Sequence, residues 1–176
     1  MVVHFKVDFE DMIAMQKNFI KTSKVHKKRN IIFSVLGFAL VLLLLNHNGF
    51  LKAMVYALLF YLFTTYVLYP SVTLFKAKKI FQKHKSKYDY LTGDCTLTID
   101  NEGILKEFDN EYHTKEYIKW AEIVKVNRDE KHYYFYKSDL IVFMIKKYPD
   151  NINRAETLKY NQFIEELLIK QGFTEK

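Results

Sequence analysis

Two uncharged runs limit what this chain can become. Ile31 to Leu45 reads IIFSVLGFALVLLLL, and Ser34 is its only polar side chain. Ala53 to Tyr69 reads AMVYALLFYLFTTYVLY, with Thr64 and Thr65 as its short polar groups. At a rise of about 1.5 Å per residue, roughly 20 helical residues cross about 30 Å of hydrocarbon. Each run is somewhat short alone. Asn46 to Lys52 forms a shared interfacial turn that lengthens both, and Lys52 can snorkel its ammonium into the headgroups. A buried hairpin of a soluble protein would keep a polar face, and Leu42 to Leu45 has none. A cleaved signal is disfavoured because the run starts well inside the chain and Leu-Leu-Asn-His-Asn is no small-x-small site. The expectation is a two-helix transmembrane hairpin over residues 31–70, with spans at about 31–48 and 50–69.

Charge orients the hairpin. Residues 1–87 hold 14 Lys/Arg and 3 Asp/Glu, whereas residues 88–176 hold 13 and 17. Lys17, Lys21, Lys24, Lys27, Lys28 and Arg29 precede the first span. Lys76, Lys78, Lys79, Lys83, Lys85 and Lys87 follow the second, and the loop between has only Lys52. Cations stay on the side of synthesis, so both termini are expected in the cytoplasm. Lys24, Lys27, Lys28, Arg29, Lys76, Lys78 and Lys79 are the candidate membrane-surface contacts. They read first as topology determinants with nonspecific attraction to anionic lipid, and second as a specific headgroup site.

Around the hairpin lie three further regions. Residues 1–30 open with Val3, Phe5, Val7 and Phe9 alternating with polar residues, the period of a strand with one buried face. Such a strand needs partners from beyond the hairpin. Asp8 then caps an amphipathic basic helix bearing Met12, Met15, Phe19 and Ile20, which could run into the first span. Residues 71–90 read as a basic linker helix. Residues 91–176 read as an antiparallel β-domain with a C-terminal helix. Its strands are expected at 95–99, 104–108, 113–118, 120–126, 132–137 and 140–145, with Val124 and Val126 on the face of Trp120. Asp100 to Gly103 is a turn in which Gly103 can take positive φ. Asn153 with Glu156 makes a capping box for the last helix, which carries Tyr160, Phe163, Ile164, Leu167 and Leu168 and stops at Gly172.

This order of parts, and the segment Ile118-Lys119-Trp120-Ala121-Glu122-Ile123 followed by an aromatic hairpin and an apolar strand ending in Lys146-Lys147, resembles the YcxB-like family of bacterial membrane proteins. Ile145 stands where that family tends to have a proline. The resemblance implies a pleckstrin-homology-like C-terminal domain and supplies no catalytic residues. The fold class is therefore an α+β membrane protein, a transmembrane hairpin joined to a cytoplasmic β-domain.

Motifs for chemistry are sparse. No two of the six histidines have metal-ligand spacing on one helix, although His113 and His132 could approach across a sheet. Cys95 cannot pair internally, being the single cysteine, and reads as a buried thiol. Glu165 and Glu166 point about 100° apart on a helix. Phosphate-loop, dinucleotide and nucleophile-elbow motifs are missing. No catalytic residue, metal or cofactor is expected. The Tyr133 to Tyr136 run lacks the basic surround that nucleic acid requires. Trp120, Tyr134, Tyr136, Arg128, Lys146 and Lys147 are the candidate partner or ligand contacts, Trp120 reading first as a core anchor. The expected partners are the lipid bilayer and an unidentified protein; the sequence sets no oligomeric state. The leading expectation is a non-catalytic membrane-anchored binding or regulatory module. The alternatives are an immunity protein against a membrane-acting toxin and an interfacial lipid enzyme.

Overall fold

The computed structural model describes residues 1–83, 88 and 91–173. The linker residues 84–87 and 89–90, with Lys85 and Lys87, lie outside them, as do 174–176. The chain is α+β and divides into two compact units, one of residues 1–15 and 84–176 and one of residues 16–83.

The first unit is built on antiparallel strands. β1 (Val2–Val7) alternates as its sequence predicts, burying Val3, Phe5 and Val7. It pairs with β2 (Gly93–Ile99), placing Val3 opposite Leu97 and Phe5 opposite Cys95. β3 (Gly103–Phe108) and β4 (Lys115–Lys119) complete a four-stranded sheet in the order β1-β2-β3-β4. β5 (Lys125–Arg128), β6 (His132–Tyr136) and β7 (Val142–Lys146) form a second sheet in chain order. An open strand edge invites further pairing. The free edge of β1 is occupied instead by the loop after β7: the Lys6 amide donates to Asp150 Oδ2 at 2.7 Å, the His4 amide to Asn151 Oδ1 at 2.8 Å, and the Asp150 amide to the His4 carbonyl.

Several local expectations are corrected. Residues 120–126 do not form one strand. Trp120–Glu122 is a single 3-10 turn, held by Glu122 Oε2 accepting from the Lys119 amide, and Val124 is exposed rather than on the face of Trp120. The strand predicted at 140–145 starts at Val142. Ser138 Oγ accepts from the amides of Leu140 and Ile141, which keeps both exposed in the turn. Gly103 does not use positive φ. Its backbone lies so close to β4 that an added Cβ would sit 2.3 Å from the Ile118 carbonyl oxygen.

Helix α1 (Phe9–Thr22) is opened by a reciprocal pair: the Asp11 amide donates to Asp8 Oδ1 and the Asp8 amide to Asp11 Oδ2. It does not run into the next helix, because Ser23 takes an extended conformation (φ −66°, ψ 130°). The last helix, α5 (Arg154–Lys170), carries the Asn153/Glu156 capping box and buries Tyr160, Ile164, Leu167 and Leu168. Gly172, at φ 83°, ends it, and the Phe173 amide returns to the Leu168 carbonyl. Tyr160 donates to the Lys146 carbonyl and Asn161 to that of Lys147, tying α5 to the end of β7.

The second unit is helical. α2 (Lys24–Leu45) is followed by a 3-10 turn, Asn46–Asn48. Then come α3 (Phe50–Phe63), a π-helical turn (Thr64–Leu68) and α4 (Tyr69–Lys83), continuous over 34 residues. Both helical stretches are long and apolar enough to cross a membrane. Small and hydroxyl side chains fill their seam: Ser34, Ala53, Ala57 and Thr64 are fully buried, and Phe60 packs over Gly37. Large apolar side chains face outward instead, with Leu43 and Leu51 each 77% exposed.

Candidate functional site

The second unit has an unusual charge distribution. Residues 16–83 contain eleven Lys/Arg and not one Asp or Glu, so no carboxylate of that unit can neutralise any of its cations. At the charged ends of the apolar helices is a cavity of about 570 Å³. Lys17, Ile20 and Lys21 of α1 line one side, His26, Lys27 and Asn30 of α2 another, and Tyr69, Pro70, Ser71 and Leu74 of α4 a third, with Thr65 and Tyr66 of the π turn. Lys17 and Lys21 share a face of α1 because they are four residues apart. On its lining, His26 meets Tyr69 edge-on, with its Nδ1 3.2 Å from the Tyr69 hydroxyl, and it also packs edge-on against Phe19. The cavity volume falls within the range of small-molecule sites.

Of the expected membrane-surface cations, Lys27 lines this cavity. Lys24, Lys28, Arg29, Lys76 and Lys79 are exposed elsewhere on the helices, and Lys78 is half-buried.

The first unit holds a buried polar cluster. His132 Nε2 lies 2.9 Å from Asp11 Oδ1, and its Nδ1 lies 3.2 Å from Asp129 Oδ1. Lys146 Nζ reaches Asp11 Oδ2 at 2.9 Å, and the Tyr134 hydroxyl donates to Asp129 Oδ2 at 2.6 Å. Burial would raise the Asp11 carboxyl. The contacts with His132, the Asp8 amide and Lys146 outweigh it and hold it down at about 2. Asp129 is likewise lowered, because hydrogen bonds from Tyr134 and the Lys131 and His132 amides overcome its burial. A cavity of about 520 Å³ opens beside Asp11, His132, Lys131 and Lys146. The cluster joins α1 to β6 and β7. Cys95 is buried, which pushes its thiol up to about 12.

The expected partner contacts divide. Trp120, Tyr134 and Tyr136 are buried, their rings inside the unit. Trp120 donates its indole N–H to the Asp100 carbonyl at 2.9 Å and packs edge-on against Phe135. Arg128 pairs with Glu165 of α5 at 2.6 Å, and Lys146 belongs to the Asp11 cluster. Lys147 lies over the Tyr133 ring and lines a shallow groove with Tyr148, Leu158 and Ile169, whose apolar surfaces are exposed. His113 sits in the turn before β4 with φ 43°, while both nitrogens of His132 face carboxylates. Among the described residues no group of three or more His, Cys, Asp or Glu is placed to hold a metal ion.

Sequence reasoning missed the Asp11–His132–Asp129 cluster. Its central contact joins residues 121 positions apart, and no local pattern carries that. The cavity had a legible signal, the absence of acids from Lys17 to Lys83. No protein-family model matches this chain, and neither characterised proteins nor solved structures show significant similarity to it.

Proposed function

We infer that this chain is a YcxB-like, non-catalytic membrane-anchored module, whose α2–α4 hairpin spans the bilayer and presents a cytoplasmic pleckstrin-homology-like domain to a partner. One observation carries the reading: the helical unit combines an outward apolar surface and a seam of small residues with eleven cations and no carboxylate. Apolar surface of that kind suits lipid, and cations gathered at its charged ends suit the anionic inner leaflet. The four-stranded and three-stranded sheets with α5 packed at the end of β7 support a pleckstrin-homology-like arrangement, in which β1 precedes the hairpin and completes the sheet from before it. Tethering raises the effective concentration of anything on the same surface, so a weakly binding groove suffices.

The groove beside Lys147, Leu158 and Ile169 is the contact surface this reading favours. A photo-crosslinker replacing Leu158 in the full chain in cells should capture a defined partner, and one replacing Glu102 should not. Equal capture from both positions, or from neither, counts against a partner at this groove.

A second reading has a specific observation in its favour. An interfacial enzyme needs convergent acids or histidines beside a cavity, and Asp11 with His132 supply that pattern. Against it, both His132 nitrogens are engaged by carboxylates and neither is free for a substrate. If His132→Gln abolishes the cellular phenotype while the chain stays folded, the enzyme reading gains and the module reading loses.

A further inference from the structure

We propose that the cavity bounded by Lys17, Lys21 and Lys27 is a binding site for the headgroup of a single anionic phospholipid. The proposal rests on the membrane-anchored reading and names the ligand class of a site outside the β-domain. Three features of the cavity point to such a ligand.

The first is charge. Lys17 and Lys21 project from one face of α1, and Lys27 from the first turns of α2, into the same cavity. No carboxylate lines that cavity, and none occurs between residues 16 and 83. Three ammonium groups on one cavity lining attract an anion to it, and no carboxylate within this unit supplies one. A phosphodiester supplies the charge and several acceptor oxygens at once.

The second is chemistry along the wall. Ser71 adds a hydroxyl to the same lining, while Ile20 and Leu74 add apolar side chains. A headgroup with an attached acyl chain presents all three kinds of group, charged, polar and apolar. A free phosphate presents only the charged part. The apolar wall therefore selects a lipid.

The third is position. Lys27 lies one turn before the uncharged run that begins at Ile31, and Pro70 and Ser71 follow the run that ends at Tyr69. In the orientation proposed above, this is the depth of the inner-leaflet phosphates.

The test uses the full-length chain in neutral detergent, observed by native mass spectrometry during titration with phosphatidylglycerol, phosphatidylcholine or inorganic phosphate. One phosphatidylglycerol should be retained per chain, phosphatidylcholine should not be retained, and inorganic phosphate should compete weakly. The triple variant Lys17→Ala, Lys21→Ala, Lys27→Ala should bind phosphatidylglycerol at least about tenfold more weakly. A control, Lys24→Ala, Lys28→Ala, Lys79→Ala, loses the same charge outside the cavity and should bind like the parent. Lys24, Lys28 and Lys79 lie off the cavity lining, and all six side chains are exposed, so folding is not at stake. Equal losses in both triples would mean diffuse attraction and overturn the site. Competition by inorganic phosphate as effective as by lipid would overturn the lipid assignment. Both triples should remain in the membrane fraction of cells, since the apolar helices hold them there. A parent chain that itself stays in solution would contradict the anchored reading instead.

Discussion

The side-chain amide of Asn30 donates a 2.9 Å hydrogen bond to the backbone carbonyl of Thr65. In the π turn the Tyr69 amide reaches back five residues to the Thr64 carbonyl. The next bond in that register would run from residue 70 to Thr65, and Pro70 has no N–H to give. Asn30, on the neighbouring helix, supplies the donor. Ser34 links the two, bonding Asn30 Oδ1 at 3.3 Å and accepting from the Thr65 hydroxyl at 2.9 Å. A helix irregularity caused by one proline thus becomes a polar clamp between the two apolar helices.

Replacing Asn30 by Leu should destabilise the hairpin by about 1–2 kcal/mol, because the Thr65 carbonyl loses its donor in an apolar surround. Pro70→Ala should absorb part of that loss by restoring a backbone N–H. Denaturant or detergent-induced unfolding of the four-member cycle measures the coupling. Additive single effects would show that Asn30 does not stand in for the missing amide.

Asp11 makes the first unit sensitive to acid. Its carboxyl is held at about 2 in the folded chain, below the ordinary 3.8. A depressed carboxyl contributes stability in full above its unfolded value, and that stability fades as the pH falls from about 4 through about 2. The shift corresponds to roughly 2 kcal/mol. Asp11→Asn should be less stable than the parent at neutral pH, and the two unfolding curves should converge toward pH 2. A constant gap across that window would contradict the assignment.

Gly103→Ala should cost about 1–3 kcal/mol. The Cβ would press on the Ile118 carbonyl, a backbone atom that cannot turn aside. Chemical unfolding should show the loss, and amide exchange should speed up along β3 and β4. An unchanged stability would mean the two strands part without strain.

Cys95 should resist alkylation in the native chain and react promptly once denatured. Burial both shields it and pushes its thiol up to about 12. Iodoacetamide labelling at pH 8 with and without denaturant reads this out. Fast native labelling would place Cys95 outside the core.

Features encoded over a few neighbouring residues were legible in the sequence. The Val3, Phe5, Val7 alternation, the Asp8 cap, the Asn153/Glu156 box and the Gly172 stop are each set by spacing within one turn or one strand. Features decided by competing local bonds were not. Trp120 to Val126 has strand-like residues, yet the Glu122 carboxylate captures the Lys119 amide and winds a turn. Leu140 and Ile141 look like core, yet Ser138 holds them outside. The break at Ser23 carries no Pro or Gly to announce it. Contacts across the fold were the least accessible. His132 meets Asp11 only because β6 and the start of α1 come together, and Lys17, Lys21 and Lys27 share a cavity only because α1, α2 and α4 all contribute to its lining.

The central claim is that α2 and the α3–α4 stretch cross the bilayer with both chain ends inside. Labelling by a membrane-impermeant maleimide in intact cells tests it most directly, using single cysteines in a Cys95→Ser background. His47→Cys, in the turn between the helices, should label in intact cells, and Glu102→Cys, in the β2–β3 turn, only after permeabilisation. Labelling of Glu102→Cys in intact cells, or of neither position until the cells are opened, would contradict it.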